Sequence, residues 1–368
     1  MQKCLLEAGE MILVRSGVNT GDCAIVPDSL AGSYAAYDLI LNFTNEVVPL
    51  FVSTFLDTEV GRIQLNVLKD RSAQPHLNAE EVSSVLVPKP PKDIQRSLVA
   101  EIEAARQSRK QKLAQADELL SSLDAYLLDQ LGLSAPEESD RQVFAVRLKQ
   151  VSEGRLDPQF NSFRISKLSD SLKEIKFVPL ESLISSITKG ETPLSRGDSY
   201  VSEGVRFLKA QNISEEGIRG KLAYISDEVH ERMKRSQLCG GELLYTMAGT
   251  IGVATLLPDS YGIANINQAV AKIIVKPEAN KSYLSLILNG SFCREQAQRS
   301  LTVSSQPNIN FEQIKAIQIP LPSVELQRSL VIEIEKRRAD AQRLRQEAET
   351  EWEAAKTRFE QKLLGEES

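Results

Sequence analysis

Between Pro91 and Gly132 apolar residues recur at steps of mainly three and four: Ile94, Leu98, Ile102, Ala105, Leu113, Ala116, Leu120, Leu123, Leu127 and Leu131. That spacing draws a narrow apolar stripe along a helix, the seam of a coiled coil rather than the alternation of a strand. Gly132 suits its end, because glycine accepts the left-handed conformation of a helix terminus. A second stripe runs through Leu326, Leu330, Ile334, Ala341, Leu344, Ala348, Trp352, Ala355, Phe359 and Leu363, opened by Ser323 as N-cap and closed by Gly365. Each helix has about 40 residues, hence ~60 Å at 1.5 Å per residue. So narrow a stripe is not stable alone in water, and the simplest partner for one helix is the other. A plain helical hairpin would serve folding alone. Matched length and position favour a rigid spacer that also offers a docking surface.

Elsewhere the apolar runs are short and bounded by Gly, Pro, Asn and Ser. Val205–Leu208, Glu242–Tyr245, Val253–Leu257 and Val270–Val275 predict strands, with turns at Gly190, Gly197, Gly240–Gly241 and Gly249 and a helix near Tyr283–Ser300. Residues 177–322 therefore predict a strand-rich α+β module. Residues 133–176 read as a linker whose beginning, at Pro136 and the charges Glu137–Arg141, is expected to be flexible.

The chain is written twice. Gln95-Arg96-Ser97-Leu98-Val99 returns as Gln327-Arg328-Ser329-Leu330-Val331, and Glu101-Ile102-Glu103 as Glu333-Ile334-Glu335. Gln74-Pro75-His76-Leu77-Asn78 answers to Gln306-Pro307-Asn308-Ile309-Asn310, and Gly9-Glu10 to Gly241-Glu242; all keep an offset of 232 residues. That period is far too long for a solenoid and describes two domain-sized copies, each a globular part followed by a long helix. Residues 177–232 have no counterpart ahead of Met1, so the first globular unit is expected to be an incomplete copy.

Composition narrows the chemistry. Only two histidines, His76 and His230, are present, and the four cysteines (Cys4, Cys23, Cys239, Cys293) form no C-x-x-C pair, so a His-rich metal site, a zinc ribbon or a disulfide scaffold is not expected and the cysteines read as buried free thiols. No strand–Gly-rich loop–helix or G-x-x-x-x-G-K motif is present, nor the Asn/Asp-Pro-Pro-aromatic tetrapeptide of amino-methyltransferases. No enzymatic activity is expected of the chain itself. Charges interrupt the first 13 residues and no apolar run is long enough for a membrane span, so a cytoplasmic, non-membrane protein is expected. The net charge of −6 argues at first against nucleic acid. It resides in the helical segments, however, whereas residues 177–322 carry 15 Lys+Arg against 14 Asp+Glu. Amide and cationic side chains in loops can read base edges. The candidates are Lys189, Thr192, Arg196, Lys209, Gln211, Asn212, Gln306 and Asn308. Gly249-Thr250-Ile251-Gly252 is either a phosphate-contacting turn, with Thr250 exposed, or a plain hairpin turn.

The turn Gly241-Glu242-Leu243-Leu244 leads to Gly249-Thr250-Ile251-Gly252 and then Asn267-Gln268-Ala269-Val270. Ser305-Gln306-Pro307-Asn308-Ile309-Asn310 follows, before a long helix opened by Leu326-Gln327. With Arg155-Leu156-Asp157-Pro158 and Gly190-Glu191-Thr192-Pro193 upstream, this order resembles the specificity subunit of type I restriction–modification enzymes over nearly the whole chain. The resemblance implies an α+β fold with two globular target-recognition domains, the first incomplete, separated by two long antiparallel coiled-coil helices in a pseudo-twofold arrangement. It places a partial first recognition domain at 1–90, spacer helices at 91–132 and 323–365, and the second recognition domain at 177–322. It further implies double-stranded DNA as ligand, read as a split site, and two methyltransferase subunits docked on helices that carry Ile94, Leu98, Ile102, Leu326, Leu330 and Ile334. A restriction–translocase subunit joins that assembly. The chain would hold no cofactor or metal, while the complex would use S-adenosylmethionine, ATP and Mg2+. A coiled-coil scaffold without DNA readout is the alternative.

Overall fold

The computed structural model describes residues 4–69, 75–133, 175–193, 197–301 and 307–365. Met1–Leu119 with Ala339–Ser368 form one compact unit and Leu120–Arg338 the other. In the first, β1 (Met11–Leu13), β2 (Cys23–Ile25) and β3 (Leu39–Leu41) pair antiparallel in the order β2–β1–β3, with Met11 opposite both Ile25 and Leu41. Strand alternation turns Met11 and Leu13 to one face, where they are buried with Phe51 of α1 (Pro49–Asp57), Leu65 of α2 (Glu59–Lys69), Leu77, and Val82 of α3 (Ala79–Ser83). Asn78 starts α3 with a reciprocal cap: its Oδ1 accepts from the Glu81 N–H at 2.9 Å and its own N–H donates to Glu81 Oε2 at 2.8 Å.

Leu98 and Ile102 of α4 (Lys92–Ser121) complete this core, with Ala355 and Phe359 from the long C-terminal helix. Over this stretch Glu101 meets Lys362 at 2.8 Å, Arg109 meets Glu349 at 3.0 Å, and Lys112 meets Glu347 at 3.0 Å and Glu351 at 2.6 Å; Asp117 meets Arg345 at 2.8 Å. One number rises as the other falls, so the two helices run antiparallel here. Ala116, Ala341 and Ala348 are buried in the seam. Trp352, the single tryptophan, lies with the Arg106 and Arg109 guanidiniums each 5.8 Å from its ring centre and Lys356 Nζ at 5.9 Å.

The stripe that predicts one helix over 91–132 is interrupted. α4 ends at Ser121, and α5 (Leu123–Gln130) follows Ser122. Adjacent serines offer the backbone competing hydrogen bonds, which favours such a break. It lets Leu127, Leu128, Leu131 and Leu133 enter the core of the second unit. Gly132 closes the segment at φ +61°.

The second unit is built on two four-stranded sheets. The first, in the order β12–β11–β14–β5, is wholly antiparallel: β5 (Ile184–Lys189), β11 (Leu243–Thr246), β12 (Ala254–Leu256) and β14 (Val270–Val275). Leu243, Leu244 and Tyr245 are all buried, because β11 is covered on both faces. The second sheet, β10–β13–β6–β9, joins β6 (Val205–Leu208), β9 (Ala223–Ile225), β10 (Gln237–Leu238) and β13 (Ala264–Ile266), with β13 parallel to β6. β4 (Lys176–Pro179) pairs with β15 (Gln318–Leu321), and β7 (Ile213–Ser214) with β8 (Gly217–Ile218). The helix predicted near Tyr283–Ser300 is two, Lys281–Asn289 and Ser291–Ser300, parted by Gly290 in extended conformation. Following the short helix Asp227–Arg232 (α6), these are α7 and α8; α9 is Phe311–Lys315 and α10 Val324–Leu364. Asn265 is fully buried, donating to the Met233 carbonyl at 3.2 Å and Ser236 Oγ at 2.9 Å while pairing with His230, so that histidine is a core group.

The offset of 232 residues governs the elements as well. α1, α2, α3 and α4 begin at 49, 59, 79 and 92; α7, α8, α9 and α10 begin at 281, 291, 311 and 324. Sheet order β2–β1–β3 matches β12–β11–β14. The cap of α3 recurs as Asn310 with Gln313. Gln64 brackets the backbone of Leu86 as Gln296 brackets that of Gln318. Gln95 and Gln327, both buried, donate to the carbonyls of Pro90 and Pro322 at 2.8 and 3.0 Å. The cysteines all lack disulfides, but only Cys293 is fully buried; Cys23 is partly so, and Cys4 and Cys239 are exposed because they lie in loops flanking the sheets.

Candidate nucleic-acid interface

β11 ends in a turn whose glycines, Gly249 at φ +78° and Gly252 at φ +90°, reverse the chain into β12. The buried Thr246 fixes that turn: its Oγ1 donates to the Thr250 carbonyl and accepts from the Val253 N–H at 2.9 Å. A bridge between Ala248 and Asn308, with the Ile309 N–H donating to the Met247 carbonyl at 3.0 Å, sets Asn308 beside the turn. Thr250 and Asn308 are both exposed there. The Gly249–Gly252 segment is thus a hairpin turn that also presents a polar side chain.

The first unit repeats this frame. Ser16 bridges to His76, the Leu77 N–H donates to the Arg15 carbonyl at 2.8 Å, and Gly17 and Gly21 take φ +95°. Arg15 reaches His76 Nε2 at 2.9 Å and covers the Tyr37 ring at 5.0 Å. Where the second unit shows Thr250 and Asn308, the first shows Val18 and His76. The backbone is kept and the displayed side chains differ.

The remaining candidates divide. Lys189 ends β5, exposed, opposite Ala271. Gly190 passes so close to the Ile266 carbonyl that a Cβ would sit 1.7 Å from its oxygen, and Thr192 then pairs with Gln268. Lys209 sets its ammonium 4.3 Å from the Tyr200 ring centre, and Gln211 is exposed on the next turn. Asn212 is not a reader: at 2 % exposure its Oδ1 accepts from the Lys209 N–H at 3.0 Å and its Nδ2 donates to the carbonyls of Arg219 and Lys221, stapling the loop. Arg196 and Gln306 lie outside the described residues. Beside Thr250 a cleft of about 350 Å³ holds Arg219, Arg294 and Arg338; Glu215 engages the last two, Arg338 at 3.7 Å. Tyr200 and Gln268, which hold two of the candidates, carry no sequence signal beyond their residue type.

Of the residues expected to dock partners, Leu98, Ile102, Leu330 and Ile334 are buried in the chain's own cores, because the same stripe that would attract a partner packs on the units themselves. Only Ile94 is exposed, and Leu326 partly so. Among the described residues no group of three or more His, Cys, Asp or Glu could hold a metal, and no helix is long and apolar enough to cross a membrane. Burial pushes the Cys293 thiol and the Tyr245 hydroxyl well up, so both stay neutral.

The family model described as "Type I restriction modification DNA specificity domain" matches residues 173–337. The type I restriction enzyme EcoBI specificity subunit of Escherichia coli is 24 % identical over 272 residues, covering 71 % of this chain and 53 % of that protein, so the chain spans about half the length of this curated relative. A solved chain titled for complex assembly and conformational transition of the type I R-M system shares the fold, with a TM-score of 0.59 at 17 % identity over 98 % of this chain and 82 % of that one. The specificity subunit from Thermoanaerobacter tengcongensis gives a TM-score of 0.47 at 17 % identity, covering 98 % and 81 %. Match, relative and fold agree with the duplicated frame: residues 173–337 are a type I restriction–modification DNA specificity domain, and the chain is of the specificity-subunit kind.

Proposed function

We propose that the chain confers DNA sequence specificity on a type I restriction–modification complex, reading one half of a split duplex site with each globular unit and serving as the platform for two methyltransferase subunits. The observation that carries this reading is the repeated turn: one backbone frame displays Thr250 with Asn308 in one unit and Val18 with His76 in the other. Two readers of one design with different side chains suit a target whose halves differ. The antiparallel ion pairs between α4 and α10 support helices that act as a pseudo-twofold spacer. Chemistry would belong to the partners, which would bring S-adenosylmethionine, ATP and Mg2+, with a restriction–translocase subunit completing the assembly.

Co-expression with the cognate methyltransferase and genome-wide mapping of methylated adenine tests this. One split motif is expected, and binding to it should weaken steeply with salt as phosphate contacts are lost. Binding without any sequence preference, and no methylated motif, would leave the scaffold reading instead.

A further inference from the structure

The two units share a frame, yet three backbone edges that are covered in the second lie open in the first. In the second unit β5 pairs with the outer side of β14, from Lys189 opposite Ala271 to Ile184 opposite Val275. β4 pairs with β15, Val178 opposite Ile319, and β6 lies parallel to β13. The segment between β4 and β5 drives Leu180, fully buried, into the core and donates its N–H to the Ile317 carbonyl at 2.9 Å. A single stretch, Lys176–Lys189, thus closes two of the three edges.

In the first unit the counterparts of β14 and β15 are β3 and residues 86–89. Among the described residues no strand pairs with the outer side of β3 or with that stretch. The side chains record the difference. Ala271, Ile273, Ile317 and Ile319 are buried, whereas Leu39, Leu41, Val85 and Val87 at the equivalent positions are only partly so. Tyr34, the counterpart of Asn265 in β13, bridges to Leu5 on one side and is 63 % exposed. Leu86 and Ile63, on the strip and on the helix that brackets it, are exposed as well. Unpaired edges flanked by exposed apolar side chains are templates for an added strand.

We propose that the first unit is a docking site for a second polypeptide, which adds a strand–leucine–strand segment of the Lys176–Lys189 kind to β3 and to residues 86–89. The fit comes from the second unit, where this pattern already occupies the equivalent edges in an established register. The inference stands on the open edges and is independent of the DNA reading.

Hydrogen exchange followed by mass spectrometry tests it on the full chain, with a synthetic peptide of sequence Lys176–Lys189 as probe. Exchange over residues 39–41 and 86–89 is expected to slow at least tenfold with excess peptide, while Ile273 and Ile319 are slow throughout. A peptide with Ile184→Asp and Ile187→Asp should have no effect. No change with the unmodified peptide would overturn the proposal, as would slow exchange of these segments in the free chain. Protection that grows with protein concentration alone would identify a second copy as the occupant and overturn it equally.

Discussion

Asn212 and Thr250 show how residues of similar polarity take opposite parts. Asn212 spends its amide on three backbone partners inside the loop, and removing them strands buried polar groups. Asn212→Ala is expected to cost about 1–3 kcal/mol, read as a lower midpoint in urea unfolding. Thr250 is exposed and braced only through its carbonyl. Thr250→Ala should leave that midpoint within ~0.5 kcal/mol and weaken binding to the methylated motif. Nothing in the sequence separates the two, because residue type does not disclose whether an amide turns inward. Leu98, Ile102, Leu330 and Ile334 teach the same lesson. A stripe announces burial without saying against what.

At the level of elements, β6 and β14 follow the predicted bounds, since each is a continuous apolar run between turn residues. The two-residue strands β7, β8 and β10 are too short for any period to register, and they exist through their pairing. Paired helices carry their own pH dependence. Hydrogen bonds from Lys112 and Arg343 hold the Glu347 carboxyl below its ordinary value, while those to Glu351 and Glu347 raise Lys112. Glu347 therefore contributes stability that is complete above the ordinary carboxylate range and lost as pH falls through the lowered value. Lys112 contributes below the ordinary ammonium range and loses it as pH rises through the raised one. Thermal unfolding of Lys112→Gln should show less dependence on pH at both extremes than the parent. Because these groups face solvent, the gap should shrink in high salt.

For the molecule as a whole, the constant offset was the most legible feature, since identical side chains such as Gln95 and Gln327 perform the same buried task in each copy. The kept frame predicts separable specificities. Thr250→Val combined with Asn308→His should alter one half of the methylated motif and leave the other intact, as mapped by methylation sequencing. An unaltered motif would remove this turn from the reading surface.

Trp352 gives the duplication an optical asymmetry. As the lone indole, set among Arg106, Arg109 and Lys356 in the first unit, it makes emission near 350 nm a private signal of that unit's helix pair, whereas Tyr245 and Tyr283 deep in the second belong to tyrosine absorbance. Two dyes are in effect built into one chain, so the melting of each half can be followed in the same cuvette without a label.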